Sequence, residues 1–288
     1  MTDRDRYIPG VPCWADAVHP DPQAATEFYS RLFGWECVDR MPEGQPGHYF
    51  MATIDGREVA ALGSLPAGAP QVAVWNTYVW VASADETVAK AEAAGATIVE
   101  PPTDVFEAGR MATFADPEGA LISVWEARRH RGARAVNEHG AVNFNNLNTR
   151  DVEGAKAFYG AVFGWDTIEV GPGAEMWAMA AYGDFLEELN PGLREQMAAM
   201  GSPEGFENVV ATIVPIDPAD TDTPAHWSLT FAVDDADAVA AAVTELGGTV
   251  LSEPTDLPWV RTTTIRDPQG AVFIASQFVP ENRDVLPG

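Results

Sequence analysis

Between Asp21 and Gly34 the apolar residues Ala24, Ala25, Phe28, Tyr29 and Leu32 recur at spacings of three and four, and the same spacing returns between Asp151 and Gly164. That period lines one face of a helix, with the aspartate as N-cap and the glycine free to take the left-handed conformation that ends it. Alanine-rich stretches from Asp85 to Gly95 and from Asp237 to Gly247 predict two further helices. Elsewhere the period is two. Trp14, Asp16 and Val18 alternate with Ala15 and Ala17, and Asn76, Tyr78 and Trp80 alternate with Val79 and Val81, as in strands with two unlike faces. Asp116-Pro117-Glu118-Gly119 and Asp267-Pro268-Gln269-Gly270 are turn sequences. The apolar runs behind them, Ala120 to Trp125 and Ala271 to Ala275, predict closing strands.

These elements form a repeat. Phe28-Tyr29 with Phe33-Gly34-Trp35 matches Phe158-Tyr159 with Phe163-Gly164-Trp165. Gly95-Ala96-Thr97 matches Gly247-Gly248-Thr249, and the two Asp-Pro-x-Gly turns follow in the same order. Duplication of a whole unit explains this, and each copy reads as two βαβββ modules. The ordered motifs resemble the vicinal oxygen chelate (glyoxalase, bleomycin resistance protein and dioxygenase) superfamily, in the tandem, actinobacterial glyoxalase-like form. The resemblance implies an α+β fold of two glyoxalase-like domains, each a cup-shaped open barrel with the ligand in the cup. The expected boundaries are residues 12–126 and 139–278, with a basic linker at 127–138 and a helical insertion in the second domain near 184–225. Leu193, Met197 and Met200 within that insertion predict a short amphipathic helix, covering either a cup or part of the core.

Composition narrows the partners. The chain has 288 residues, 46% of them hydrophobic, which is enough for two domains with cores of ordinary size. A net charge of −26 repels nucleic acid and anionic membrane surfaces, so neither is an expected partner. Cys13 and Cys37 are the only cysteines, too few for a disulfide framework. The N-terminal MTDRDRYIPG lacks an apolar run behind its charges, and a cytoplasmic monomer or homodimer is the expectation.

In the family that the motifs resemble, a divalent metal is held from three positions per copy, which align here with Trp14, Asn76 and Glu126 and with Phe144, Ser228 and Gln277. Indole and phenyl rings offer a metal no lone pair, so no metal and no other cofactor is expected. Strand alternation instead predicts a first cup walled by Trp14, Asn76, Tyr78 and Trp80, with Asp16 and Glu126 as candidate acid–base groups. It predicts a polar, uncharged second cup with Phe144, Asn146, Ser228 and Gln277. The function expected is binding of a small planar or aromatic molecule in a metal-free cup. The alternative is a metal-independent enzyme of the same superfamily, an isomerase, lyase or hydroxylase-like protein. A metal-dependent glyoxalase or dioxygenase fits the triad positions least.

Overall fold

The computed structural model of the chain describes residue 4 and residues 6–171 and 173–285. Residues 1–3 and 5, within the N-terminal MTDRDRYIPG, therefore lie outside the described residues. Each repeat forms one eight-stranded sheet, not closed into a barrel. In the first, β1 (Pro12–His19), β2 (Glu36–Asp39), β3 (Tyr49–Ile54), β4 (Arg57–Ser64), β5 (Val74–Trp80), β6 (Thr97–Val105), β7 (Gly109–Ala115) and β8 (Leu121–Ala127) run in the order β2-β3-β4-β1-β5-β8-β7-β6. The second repeats this with β9 (Val142–Thr149), β10 (Asp166–Gly171), β11 (Ala174–Ala178), β12 (Val209–Pro215), β13 (His226–Val233), β14 (Thr249–Leu257), β15 (Val260–Arg266) and β16 (Val272–Phe278) in the order β10-β11-β12-β9-β13-β16-β15-β14.

The long helices begin and end where their caps dictate. Asp21 accepts from Ala24 N–H at the start of α1 (Pro22–Phe33), and Asp151 does the same from Gly154 for α3 (Val152–Phe163). Gly34 and Gly164 close them at φ 72° and 73°. The second helices, α2 (Ala84–Ala93) and α6 (Ala236–Glu245), start earlier than the aspartates suggest, because Ser83 and Asp235 are their caps. Asp85 and Asp237 sit in the first turn, where each is forked by an arginine from the neighbouring hairpin, Arg110 or Arg261. The insertion folds as α4 (Ala180–Leu189) and α5 (Leu193–Met200). No residue of α5 is buried, so it covers little core, and Met200 is half exposed.

Two compact units draw on both repeats. Unit 1 comprises Met1–Cys13, Thr77–Gly132 and Phe144–Trp227; unit 2 comprises Trp14–Asn76, Ala133–Asn143 and Ser228–Gly288. In unit 2, Phe28, Tyr29, Phe33, Trp35 and Trp75 of the first repeat pack with Phe231 and Phe273 of the second in one core. Unit 1 is the mirror case, with Phe114 against Phe158 and Phe163, and Tyr159 against Trp165, Trp177 and Trp227. Each Asp-Pro-x-Gly turn serves this exchange. Asp267 accepts from Tyr29 OH at 3.1 Å, and Asp116 accepts from Tyr159 OH at 2.9 Å.

The basic segment 127–138 makes contacts within its own surroundings in each unit. Trp125 Nε1 donates to the carbonyl of His130, and Arg57 pairs with Glu138. Gly132, at φ +87°, lies so close to the Cys13 carbonyl that a Cβ there would stand 2.6 Å from it. The arginines 128 and 129 remain on the surface, paired with Asp104 and Glu107.

Among the described residues no helix is long and apolar enough to cross a membrane.

Candidate functional site

In unit 2, Ala15 and Ala17 of β1 belong to the core beneath α1, so Trp14 and Asp16 lie on the face turned away from the helices. The register extends that open face. Asp16 pairs with Ala61 of β4, and Val18 with Gly63, which in turn opposes Tyr49 of β3. A row of hydrogen bonds results. Trp14 Nε1 donates to Tyr49 Oη at 3.1 Å, Tyr49 donates to Asp16 Oδ2 at 3.1 Å, and Asn76 Nδ2 donates to Asp16 Oδ1 at 2.9 Å. Asp16 is only 5% exposed, and a buried carboxylate needs such donors. Burial, and after it the charge of Asp16, pushes the Tyr49 hydroxyl well above the ordinary phenol range, so Tyr49 stays a proton donor.

Tyr49 was not among the residues that the sequence singled out. It follows the Gly- and Pro-rich stretch 41–48, and the alternation of Tyr49 and Met51 was the available signal. In unit 1, the parallel register of β5 and β8 sets Tyr78 beside Ser123 and Trp80 beside Trp125. Those four share a face. Tyr78 and Trp125 meet edge to face at 6.5 Å, and Trp80 stacks on Tyr7 at 5.9 Å.

Contrary to the inward placement expected from strand alternation, Glu126 does not face the cup. It continues the parity of Val124, on the helix side, and its Oε2 accepts from Ala84 N–H at the first turn of α2, at 2.9 Å. Gln277 repeats this in unit 2, where Oε1 accepts from Ala236 N–H of α6 at 3.1 Å. Both are helix-end partners. Trp125, one residue earlier, is the side chain that faces the other way. Replacing Glu126 with Ala is accordingly expected to lower stability by about 1 kcal/mol, the usual worth of a helix-end acceptor, and to leave ligand affinity unchanged. Urea unfolding beside a binding titration checks both halves.

In the second sheet Asn146 accepts from Thr212 Oγ1 at 2.6 Å, and Asn148 Nδ2 donates to the carbonyl of His226 at 3.2 Å. Phe144 is half-buried and shares their parity on β9. Ser228 belongs to β13 in unit 2, on the same face of that strand as Thr230. His226 Nδ1 donates to the Pro224 carbonyl, and His48 bonds Asp39 at 2.6 Å.

These side chains do not fit a divalent ion. At the positions aligned above with the family's metal ligands, Trp14 directs its only polar hydrogen at Tyr49, Asn76 directs its amide at Asp16, and Glu126 and Gln277 are turned to helix ends. Among the described residues no three His, Cys, Asp or Glu side chains are grouped to hold a metal.

Comparison with known proteins agrees with this architecture. The sequence profile of the Glyoxalase/Bleomycin resistance protein/Dioxygenase superfamily matches residues 14–124 and 141–274. A mycobacterial protein named as a candidate glyoxylase, CFP32 of Mycobacterium tuberculosis, is 37% identical over 98% of this chain and 100% of its own length. The anthracycline biosynthesis protein DauV of Streptomyces sp. strain C5 is 32% identical over 98% of this chain and 97% of its own. Among solved structures, the Mn(II)-bound glyoxalase from Novosphingobium aromaticivorans superposes with a TM-score of 0.59 at 14% identity, covering 96% of this chain and 83% of that one. The 2,3-dioxygenase LapB from Pseudomonas sp. KL28 superposes at 0.56 and 16%, covering 96% and 93%. At such identities the structural likeness concerns the fold.

Proposed function

The chain belongs to the Glyoxalase/Bleomycin resistance protein/Dioxygenase superfamily, and within it we propose that this protein binds a small planar molecule on the open face of its first sheet without using a metal. The observation that carries the reading is the row Trp14–Tyr49–Asp16–Asn76. It puts an indole, a phenol and a carboxylate on one sheet face, where the resemblance would place metal ligands. Trp14 is only 6% exposed and Asp16 5%, so the two form the floor beneath a ligand, where the indole gives apolar contact and the carboxylate gives a ligand hydroxyl a direction. The relative DauV carries a name that places it in anthracycline biosynthesis, a chemistry of planar fused rings, which favours a ligand of that shape.

A metal-independent enzyme is the second reading, favoured by the Tyr49–Asp16 hydrogen bond. Tyr49 keeps its proton and can donate a hydrogen bond to a bound substrate's oxygen, while Asp16 can accept a proton from that substrate. Both readings place the same groups against the ligand. Native mass spectrometry on protein purified without chelator tests the metal-free premise. The expected spectrum shows the chain, with or without an organic adduct, and less than about a tenth of an equivalent of divalent metal, against the near-stoichiometric loading of a structural or catalytic site. One tightly held ion per chain that chelator removes would refute it.

A further inference from the structure

We propose a second ligand platform, on the open face of the second sheet in unit 2, built from Trp259 and Phe278 and suited to an uncharged, hydroxylated aromatic ring system. It extends the small-molecule reading above to a separate face, and its test separates the two.

Pro258 and Trp259 form the two-residue tip of the β14–β15 hairpin, since Leu257 opposes Val260. Trp259 sits at φ +70°. A proline followed by a residue of positive φ is the order of a type II turn, whose second central position normally takes glycine or asparagine. A bulky side chain there is strained, and persists only where something holds it. The hold is visible: Val279 N–H donates to the Trp259 carbonyl at 2.7 Å, and Asn282 Nδ2 donates to the Val260 carbonyl at 3.2 Å. The turn is thus pinned from the chain that follows β16.

What the strain presents is an aromatic surface. Trp259 and Phe278 lie parallel to within 1°, with centroids 6.3 Å apart, and Phe278 is 58% exposed. Phe278 is exposed and Trp259 half-buried, so the pair keeps aromatic surface accessible to solvent. Phe278 has the opposite parity to Gln277, whose side chain is bound to α6, so the pair stands on the open side of the sheet. Its neighbours on that side, Val260, Thr262, Thr264, Ile274 and Ser276, carry no charge. Arg261, between them in sequence, turns to the other face and forks Asp237 while bonding Asp256. Stacking surface beside threonine and serine hydroxyls, with charge removed, matches a flat ligand bearing hydroxyl or carbonyl groups. The corresponding hairpin of unit 1 lacks this pair: Phe106 is there at φ +47°, but Ala127 occupies the register position of Phe278.

The test is an absorbance titration of the full chain with 1,4-dihydroxyanthraquinone, beside thermal unfolding, for the wild type, Trp259→Gly, Phe278→Ala and Trp14→Ala. Two equivalents are expected to bind the wild type and one to bind each variant. Trp259→Gly should also raise Tm by about 2–4 °C, because glycine relieves the positive φ. A ring kept only for packing would give the opposite sign, a fall in Tm, and that result overturns the proposal. So does a wild type that binds no probe, or a Trp259→Gly variant that keeps both equivalents. If Trp14→Ala alone keeps both, the first-sheet reading fails while this one stands.

Discussion

Replacing His19 with threonine, the residue at the matching position of the second repeat, Thr149, is expected to cost about 2–4 kcal/mol of stability at pH 7. His19 is fully buried, and its Nε2 lies 2.7 Å from Asp267 Oδ2. Asp267 also accepts from Tyr29 OH and from the backbone N–H groups of Gln269 and Ala271. Burial alone would raise its carboxyl, but the hydrogen bond and charge of His19, with those backbone donors, outweigh burial and hold it below the ordinary carboxylate range. Asp116 is the natural control. It has the tyrosine and the same two backbone donors but a threonine in place of the histidine, and burial leaves its carboxyl raised.

A lowered folded value means that Asp267 contributes fully above the unfolded carboxylate value near about 4, and that the contribution is lost as pH falls through the lower folded value. In the His19→Thr variant Asp267 should behave like Asp116, disfavoured as an anion and relieved by protonation. The stability gap between wild type and variant is therefore largest at neutral pH and narrows in acid. Urea midpoints at pH 7 and about pH 3.5 read this directly. An equal gap at both values would mean that His19 contributes through packing alone.

The local elements were legible because their causes are local. Asp21 and Asp151 as caps, Gly34 and Gly164 as terminators, and the Asp-Pro-x-Gly turns each depend on a few consecutive residues. The pairing of Asp267 with Tyr29 and of Asp116 with Tyr159 is not local: each bond joins one repeat's turn to the other repeat's helix, and no periodicity encodes which halves share a core. The closing strands misled for a different reason. Ala120 to Trp125 is almost continuously apolar, so alternation does not fix its parity, and the charge on Glu126 suggested a cup where it signals a helix end. Trp259 and Phe278 are nineteen positions apart in sequence and become neighbours only through the β15–β16 register.

The candidate site itself was half legible. Trp14, Asp16 and Asn76 follow from strand alternation. Tyr49, which joins Trp14 to Asp16, does not, because the β3–β4–β1 register that brings it there spans two connections. The same row makes the second large prediction. Trp14→Ala removes the indole face and one donor to Tyr49, and Asp16→Asn removes the charge while keeping the shape. Each should weaken binding at the first-sheet site tenfold or more, about 1.4 kcal/mol. Gln277→Ala and Glu126→Gln should leave affinity within about twofold, because those side chains serve helix ends.

Metal-free binding at the first sheet is tested directly by a calorimetric titration of chelator-treated protein with 1,4-dihydroxyanthraquinone, run on the wild type and these four variants. Metal-free wild type is expected to bind fully, with loss of the first-sheet equivalent in Trp14→Ala and Asp16→Asn and retention in the other two. Binding that appears only after a divalent ion is restored, or that survives both first-sheet changes and fails with Glu126→Gln, would contradict it.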